Sequence, residues 1–227
     1  MADMGWVQEQ LPREHWQHAF VVAADGGYAH CLAMGLRPDL VVGDLDSLEP
    51  AACSQLKAAG IPLLRLSRDK DQTDLQAALG EVVRHRRPGR LIVLGALGGP
   101  RLDHGLAAVY AGVPMARQGW QVEYLGCREQ LWLISGPGGL QLNPRPAHYL
   151  SLIPLTEETS GVVIRGMRWE LPGVSLRWGD SRGIANEFSD RPAEIRLATG
   201  VLAVVVVPAG AVGFPQGSPG CSLRAWL

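Results

Sequence analysis

The sequence predicts an α/β domain with a mainly parallel sheet covered by helices on both faces, followed by an antiparallel β-sandwich or barrel. Three observations predict it. Between residues 19 and 111 continuous apolar runs alternate with helical segments, as strands buried on both faces require. Beyond about residue 120 the runs shorten, Gly, Pro, Asn and Asp separate them, and no amphipathic helix intervenes. The 227 residues are 47% hydrophobic and 19% charged, enough to bury a core in one large domain or two modest ones.

The elements follow in order. Ala19 to Ala24 is an apolar run that stops at Asp25-Gly-Gly27, and Tyr28 to Gly35 reads as a short helix closed by glycine. Leu40-Val-Val42 is a second strand ending in Gly43-Asp44. Pro50 to Ala59 is a helix with proline in its first turn and Gly60 beyond its end. Ile61 to Leu66 is a third strand. Thr73-Asp-Leu-Gln76 has the form of a capping box, and Leu75, Leu79, Val82 and Val83 make the apolar stripe of the helix it opens. Leu91 to Leu94 is a fourth strand, a glycine-rich turn follows, and a helix runs from about Asp103 to Ala111.

In the second half the strand candidates are Gln121–Leu125, Leu131–Ile134, His148–Ile153, Gly161–Ile164, Ser175–Trp178, Glu194–Leu197 and Val201–Val207. The change of pattern puts a boundary near 120–130, giving units of 1–125 and 126–227. Gly213 to Leu227 reads as a loosely held tail.

Composition excludes several classes. Lys+Arg total 21 against 22 Asp+Glu, a formal charge of −1, which argues against a protein held mainly to nucleic-acid backbones. Cys31, Cys53, Cys127 and Cys221 lie far apart without a CxxC pair, so neither a zinc site nor a disulfide framework is readable. The first residues have no basic segment followed by an apolar one, and the longest apolar run, Val201 to Pro208, is too short to span a bilayer. A soluble, cytoplasmic protein is expected, with no membrane partner. Arginine outnumbers lysine 19 to 2, which we ascribe to genome base composition.

Neutrality hides an uneven layout. Eight of the eleven aspartates fall between Asp25 and Asp103, and seven of these stand between a strand and the first turn of the next helix. Asp25 follows the first strand; Asp44 and Asp46 follow the second; Asp69, Asp71 and Asp74 precede the third helix; Asp103 follows the fourth strand. In an open α/β sheet ligands collect at the carboxyl ends of strands. Carboxylates gathered there repel and stay ionised together with compensating positive charge, for which Mg²⁺, a hard cation sharing oxygens with phosphates, is suited. Taken singly, each has a plainer role: Asp44-Leu-Asp46 as loop residues, Asp74 as a complement to a helix dipole. Both carboxylates of Asp44-Leu-Asp46 reach one ion if the segment turns, which Gly43 and Ser47 favour. In Gly95-Ala-Leu-Gly-Gly-Pro-Arg-Leu-Asp-His104 the glycines let backbone N–H groups approach phosphate, and Arg101 offers a permanently charged fork. The plainer alternative is a tight turn with a surface arginine and a structural His104.

Ala24-Asp-Gly-Gly27, Pro38-Asp-Leu-Val-Val-Gly-Asp-Leu-Asp-Ser47, Asp69-Lys-Asp-Gln-Thr-Asp74 and Gly98-Gly-Pro-Arg-Leu-Asp-His104 stand in the order and spacing seen in thiamine pyrophosphokinases. Thr159-Ser-Gly161, Gly166-Met-Arg-Trp-Glu-Leu171 and Ser181-Arg-Gly-Ile-Ala-Asn-Glu-Phe188 resemble that family's later motifs. The resemblance runs from about Val21 to Val207. It implies a three-layer α/β domain joined to a β-sandwich, in a homodimer whose site is shared between subunits. It also implies transfer of diphosphate from ATP to the hydroxyl of thiamine, with AMP released and Mg²⁺ bound.

By the same resemblance, 1–125 is the nucleotide- and metal-binding catalytic unit and 126–227 the thiamine-binding and dimerisation unit. Asp44, Asp46 and Asp74 match the metal carboxylates, and with Arg101 and Asp103 form the catalytic set. Asp25, Gly26, Gly43, Ser47, Gln72, Thr73, Gly98, Gly99, Arg101 and His104 match nucleotide-binding positions. Ser181 and Asn186 match the segment that meets thiamine. Pro100, Ala108 and Ala185 depart from the family pattern, where Gly-Gly-Arg is unbroken, an Asn follows Asp-His, and Ser precedes the Asn. The alternatives are a diphosphotransferase for another small alcohol, such as a hydroxymethyl pterin, and a nucleotide- or thiamine-binding module without catalysis.

Overall fold

The computed structural model describes residues 11–12, 16–45, 50–126 and 128–210. Asp46, Ser47, Cys127, Cys221, the first ten residues and the tail Gly213 to Leu227 lie outside them.

The first half contains β1 (Val22–Ala24), α1 (Gly27–Ala33), β2 (Leu40–Gly43), α2 (Pro50–Ala58), β3 (Leu63–Arg65), α3 (Asp74–His85), β4 (Arg90–Leu94), α4 (Leu102–Arg117) and β5 (Gln121–Leu125). β1, β2 and β3 form a parallel sheet in that order. One face packs Ala23 and Val41 against Tyr28 and Cys31 of α1 and Leu56 of α2. The other packs Val42 and Leu64 against Ala77 and Ala78 of α3. These are the three layers, and double-sided burial is why the strands read as unbroken apolar runs.

The second half contains β6 (Gln130–Ser135), β7 (Gly138–Leu142), β8 (His148–Pro154), β9 (Glu158–Arg165), β10 (Leu171–Arg177), β11 (Asn186–Glu187), β12 (Ala193–Leu197) and β13 (Val201–Pro208). With β4 and β5 of the first half it makes two open sheets, ordered β10-β9-β12-β7 and β11-β8-β13-β6-β5-β4. A core of Leu150, Leu152, Ile164, Ile195, Leu202 and Val204, among others, fills the space between them. The arrangement is a sandwich, and neither sheet closes into a barrel.

Four features depart from the sequence reading. β5, expected among the antiparallel strands, pairs in parallel with β4 and antiparallel with β6. The sequence reading does not predict β7 or β11: β7 opens on two glycines, leaving Leu140-Gln-Leu142 alone to alternate, and β11 has two residues. α4 runs past Ala111, through Pro114, to Arg117. Pro114 sits on the exposed side of the helix, while Val113, Met115 and Ala116 are buried. Packing of the last turn outweighs the local cost.

The seam between halves carries a buried charge. Glu123 of β5 accepts hydrogen bonds from Arg90 (Nη2 at 2.9 Å) and from Gln130, and Gln130 accepts one from Arg145 at 2.7 Å. Burial lowers the Arg145 pKa, opposed by the nearby Glu123 charge.

α4 lies close on β5. Tyr124 donates from its hydroxyl to the Ala108 carbonyl at 2.8 Å, in the core. A Cβ at Gly112 would stand 2.1 Å from the Tyr124 hydroxyl oxygen and 2.8 Å from Leu133 Cδ1. Gly112→Ala is therefore expected to cost about 1–3 kcal/mol. Tyr124→Phe alone should cost about 0.5–1.5 kcal/mol for its lost hydrogen bond. The double variant should be more stable than the sum predicts, since the phenylalanine removes the atom struck first. Urea denaturation of the three variants checks this; strict additivity would contradict the contact.

Candidate functional site

The parallel strands end together. Asp25, just past β1, donates its backbone N–H to the Val42 carbonyl at 2.8 Å, and Leu66 N–H bonds to the Gly43 carbonyl at 3.0 Å. A Cβ at Gly43 would stand 3.0 Å from both Cα and Cβ of Asp25, so glycine is what allows this approach. Gly26 caps α1 with backbone alone, its carbonyl accepting from Ala29 at 3.1 Å.

Of the expected turn at Asp44-Leu-Asp46, Asp44 and Leu45 are described, while Asp46 and Ser47 lie outside the described residues. Leu45 has φ +66°, in the left-handed region, while its partly buried side chain packs on the core of Tyr28, Val41 and Leu56. Anchoring the leucine inward holds the strained backbone that carries Asp44. Asp25 (φ +44°) and Ala185 (φ +58°) share this conformation. Three of the four non-glycine residues with positive φ among the described residues, the other being Ala147, thus stand at or beside candidate positions.

Asp44 and Asp74 converge on Lys70. Its ammonium donates a hydrogen bond to Asp44 Oδ2 at 3.0 Å and lies 3.1 Å from Asp74 Oδ1. The three side chains are 14% (Asp44), 24% (Asp74) and 16% (Lys70) exposed. Asp74 Oδ1 is buried with the ammonium as its ion-pair partner, and Asp25 Oδ1 is buried without a hydrogen-bond donor. The hydrogen bond to Asp44, and then Asp74, raise the Lys70 pKa against its desolvation. Thr73 caps α3, its hydroxyl accepting from Gln76 N–H at 3.2 Å, and so sets Asp74 in the first turn. Gln72 is exposed beside it.

A hard divalent cation asks for oxygen donors. Asp44 and Asp74 offer two, aimed at one position that already suits positive charge. The donor chemistry fits. No cluster of three or more His, Cys, Asp or Glu gathers among the described residues, so the described protein ligands number two.

Arg101 and Asp103 form a second group at the start of α4. Arg101 donates from Nε to Asp103 Oδ1 at 2.9 Å and from Nη2 to Oδ2 at 2.5 Å, with both side chains exposed. This bidentate pair holds the Asp103 carboxyl well below the usual carboxylate range. Gly98, Gly99 and His104 are exposed around it. The ring of His30 on α1 comes near the loop, its Cδ2 3.5 Å from where a Cβ of Gly95 would stand. Ala108 is buried core rather than site.

A third group lies in the sandwich. A cleft of about 230 Å³ is lined by Trp169, Leu171, Arg182, Ile184, Ala185 and Asn186, among others. Asn186 donates from Nδ2 to the Trp169 carbonyl at 2.7 Å and accepts from Trp169 N–H at 3.1 Å. Arg168 stacks 4.7 Å from the Trp169 ring centre and is paired to Glu187 at 2.7 Å. Trp169 is thus held from two directions yet remains 53% exposed. Ser181 is exposed and opens the preceding turn, its carbonyl accepting from Ile184 N–H; it does not line the cleft. A larger hollow of about 420 Å³ between Arg128, Tyr149 and Val207 contains none of the candidate residues.

The sequence reading assigned no role to Lys70, His30 or Trp169. Lys70 had a signal, as one of two lysines in the chain and set among aspartates. Trp169 lay inside a quoted motif, and nothing marked His30.

A family model described as "Thiamin pyrophosphokinase, catalytic domain" matches residues 12–124, and one described as "Thiamin pyrophosphokinase, vitamin B1 binding domain" matches 140–202. Thiamine pyrophosphokinase of Bacillus subtilis is 23% identical over 190 residues, covering 83% of this chain and 87% of that protein. The crystal structure of the Bacillus subtilis enzyme superposes with a TM-score of 0.73 at 23% identity, covering 82% of this chain and 86% of that one. A thiamin pyrophosphokinase family protein from Enterococcus faecalis gives a TM-score of 0.69 at 26% identity, covering 82% and 87%.

Asn186→Ala would leave the backbone N–H and carbonyl of Trp169 without these partners. A loss of about 1–3 kcal/mol in stability is expected, measurable by urea denaturation. An unchanged midpoint would mean that Asn186 does not hold the Trp169 turn.

Proposed function

The chain belongs to the thiamine pyrophosphokinase family, and from that premise we propose that it transfers diphosphate from ATP to the hydroxyl of thiamine. The products are thiamine diphosphate and AMP. The observation that carries this reading is the convergence of Asp44 and Asp74 on a single cation position at the mouth of a parallel sheet.

In the reaction the thiamine hydroxyl attacks the β-phosphorus, the bond to the α-phosphate oxygen breaks, and AMP departs. Negative charge must be stabilised on two phosphoryl groups, and such chemistry rests on positioning and electrostatics. Asp44 and Asp74, with Asp46 by resemblance, would hold Mg²⁺, which when bound neutralises charge on phosphate oxygens. Arg101 offers two parallel donors, now spent on Asp103, that phosphate oxygens can take over. Gly98 and Gly99, free of side chains, let those oxygens approach the loop before α4. Asp25, Gly26, Gly43, Ser47, Gln72, Thr73 and His104 complete the nucleotide side.

Thiamine is assigned to the cleft beside Trp169, which supplies an aromatic wall positioned by Asn186. The match over 140–202 supports thiamine over another small alcohol. The two matched segments likewise support 1–125 as the nucleotide and metal unit and 126–227 as the thiamine unit.

We read the active form as a homodimer with shared sites. Pockets that enclose a small molecule run to about 300–1,000 Å³, so the 230 Å³ cleft is better suited to one wall of a site. Leu102, Leu106 and Tyr110 also make an exposed apolar stripe at i, i+4 spacing on α4. Among the described residues no helix is long and apolar enough to cross a membrane; a cytoplasmic location is part of this reading.

Protein incubated with ATP, Mg²⁺ and thiamine should form AMP and thiamine diphosphate in equal amounts. ADP as the nucleotide product, or turnover independent of thiamine, would overturn the reading. Asp44→Asn and Asp74→Asn should each lower turnover by about a hundredfold or more, with circular dichroism unchanged. Full activity from a species of monomeric mass at assay concentration would exclude the shared site.

A further inference from the structure

Lysine is scarce in this chain. Lys57 and Lys70 stand beside 19 arginines, and Lys57 is exposed on the last turn of α2. Lys70 is instead drawn between Asp44 and Asp74, 3.0 and 3.1 Å from their oxygens, with most of its side chain covered. An arginine there would present a broad planar fork, whereas lysine presents a compact, strongly hydrated point charge with rotatable donors. A compact charge equidistant from two carboxylates occupies the place a small hard cation would take. Both contacts have an ion pair's distance, so a compact positive charge is what the two carboxylates select.

We infer that the Lys70 ammonium and the divalent cation of the proposed reaction are alternative occupants of one position between Asp44 and Asp74. The inference rests on that reading of the site. Lys70 holds the two carboxylates together while the cation is absent, when their mutual repulsion would otherwise spread them. It is displaced when the cation enters, and its long stem leaves the ammonium free to meet phosphate oxygens. Cation binding is thereby weakened in the absence of nucleotide and strengthened in its presence. Lys70 is a positioning residue, acting through the two aspartates.

The scarcity of lysine supplies the test. Full-length protein labelled with ¹³C at lysine Cε yields signals from Lys57 and Lys70 alone, and Lys70→Arg assigns them. Mg²⁺ added without nucleotide, at constant ionic strength, should move the Lys70 signal saturably toward that of an exposed lysine and leave Lys57 unmoved. By calorimetry Lys70→Met should bind Mg²⁺ about tenfold or more tightly than the parent, having lost the competing charge. Lys70→Arg, which keeps the charge, should show no such gain.

Calorimetric binding that leaves the Lys70 signal in place, or a Lys70→Met chain that binds no tighter, overturns the inference. If thiamine diphosphate still forms with Mg²⁺ in that case, the proposed function stands and the inference falls alone. Absence of Mg²⁺ binding with and without ATP overturns both. Should Lys70→Met fail to fold, the titration of the parent chain decides.

Discussion

β13 is buried on both faces, and the relation between the two halves depends on that burial. It lies between β8 and β6 in the six-stranded sheet. Val201 and Ala203 pack with α4, β4 and β5, while Leu202, Val204 and Val206 pack into the sandwich. One strand therefore closes two cores, and fully burying each such valine or leucine is worth about 1.5–3 kcal/mol. It explains why the longest apolar run comes near the end of the chain and spans nothing but protein. α3 makes a similar join, turning Ala77 and Ala78 to the three-stranded sheet and Leu79 to the core under α4.

Against this packing, the site concentrates what folding ordinarily avoids. Left-handed backbone at Asp25 and Leu45, a buried Asp25 oxygen without a donor and two acidic side chains on one ammonium lie at the ends of β1 and β2 and the start of α3. Each costs free energy and persists because its surroundings leave no alternative: Leu45 is fixed inward, Gly43 admits Asp25, and Thr73 sets Asp74. Such a cluster is suited to a charged ligand, which satisfies what the protein alone does not.

Much of this was readable in advance, for identifiable reasons. β1 and β2 are covered on two faces and so produce apolar runs that need no partner to be recognised. The Thr73 cap is a local hydrogen bond and was legible as one. β7, with Gly138-Gly139, offers only Leu140-Gln-Leu142 as alternation; it is a strand because β12 pairs with it along Leu142 to Gly138. The extension of α4 through Pro114 went against local preference, since its burial depends on a distant sheet. Asn186 was singled out as a residue meeting thiamine, yet its amide is spent on the Trp169 backbone, a use no one-dimensional pattern displays.

The near-zero charge count illustrates the same division. Seven aspartates between strands and the helices that follow them, four motifs in order and a change from helix-bearing to strand-only sequence establish the family and the two-part architecture, because all of these are local or periodic properties of the chain. Which carboxylates share a cation is another matter. Asp44 and Lys70 are 26 residues apart, and they meet because β2 ends where α3 begins in space, a consequence of parallel strand order and of α3 docking on the sheet. Through-space electrostatics falls with distance between groups and takes no account of their separation along the chain. The pairing of Lys70 with two aspartates therefore had to wait for the fold.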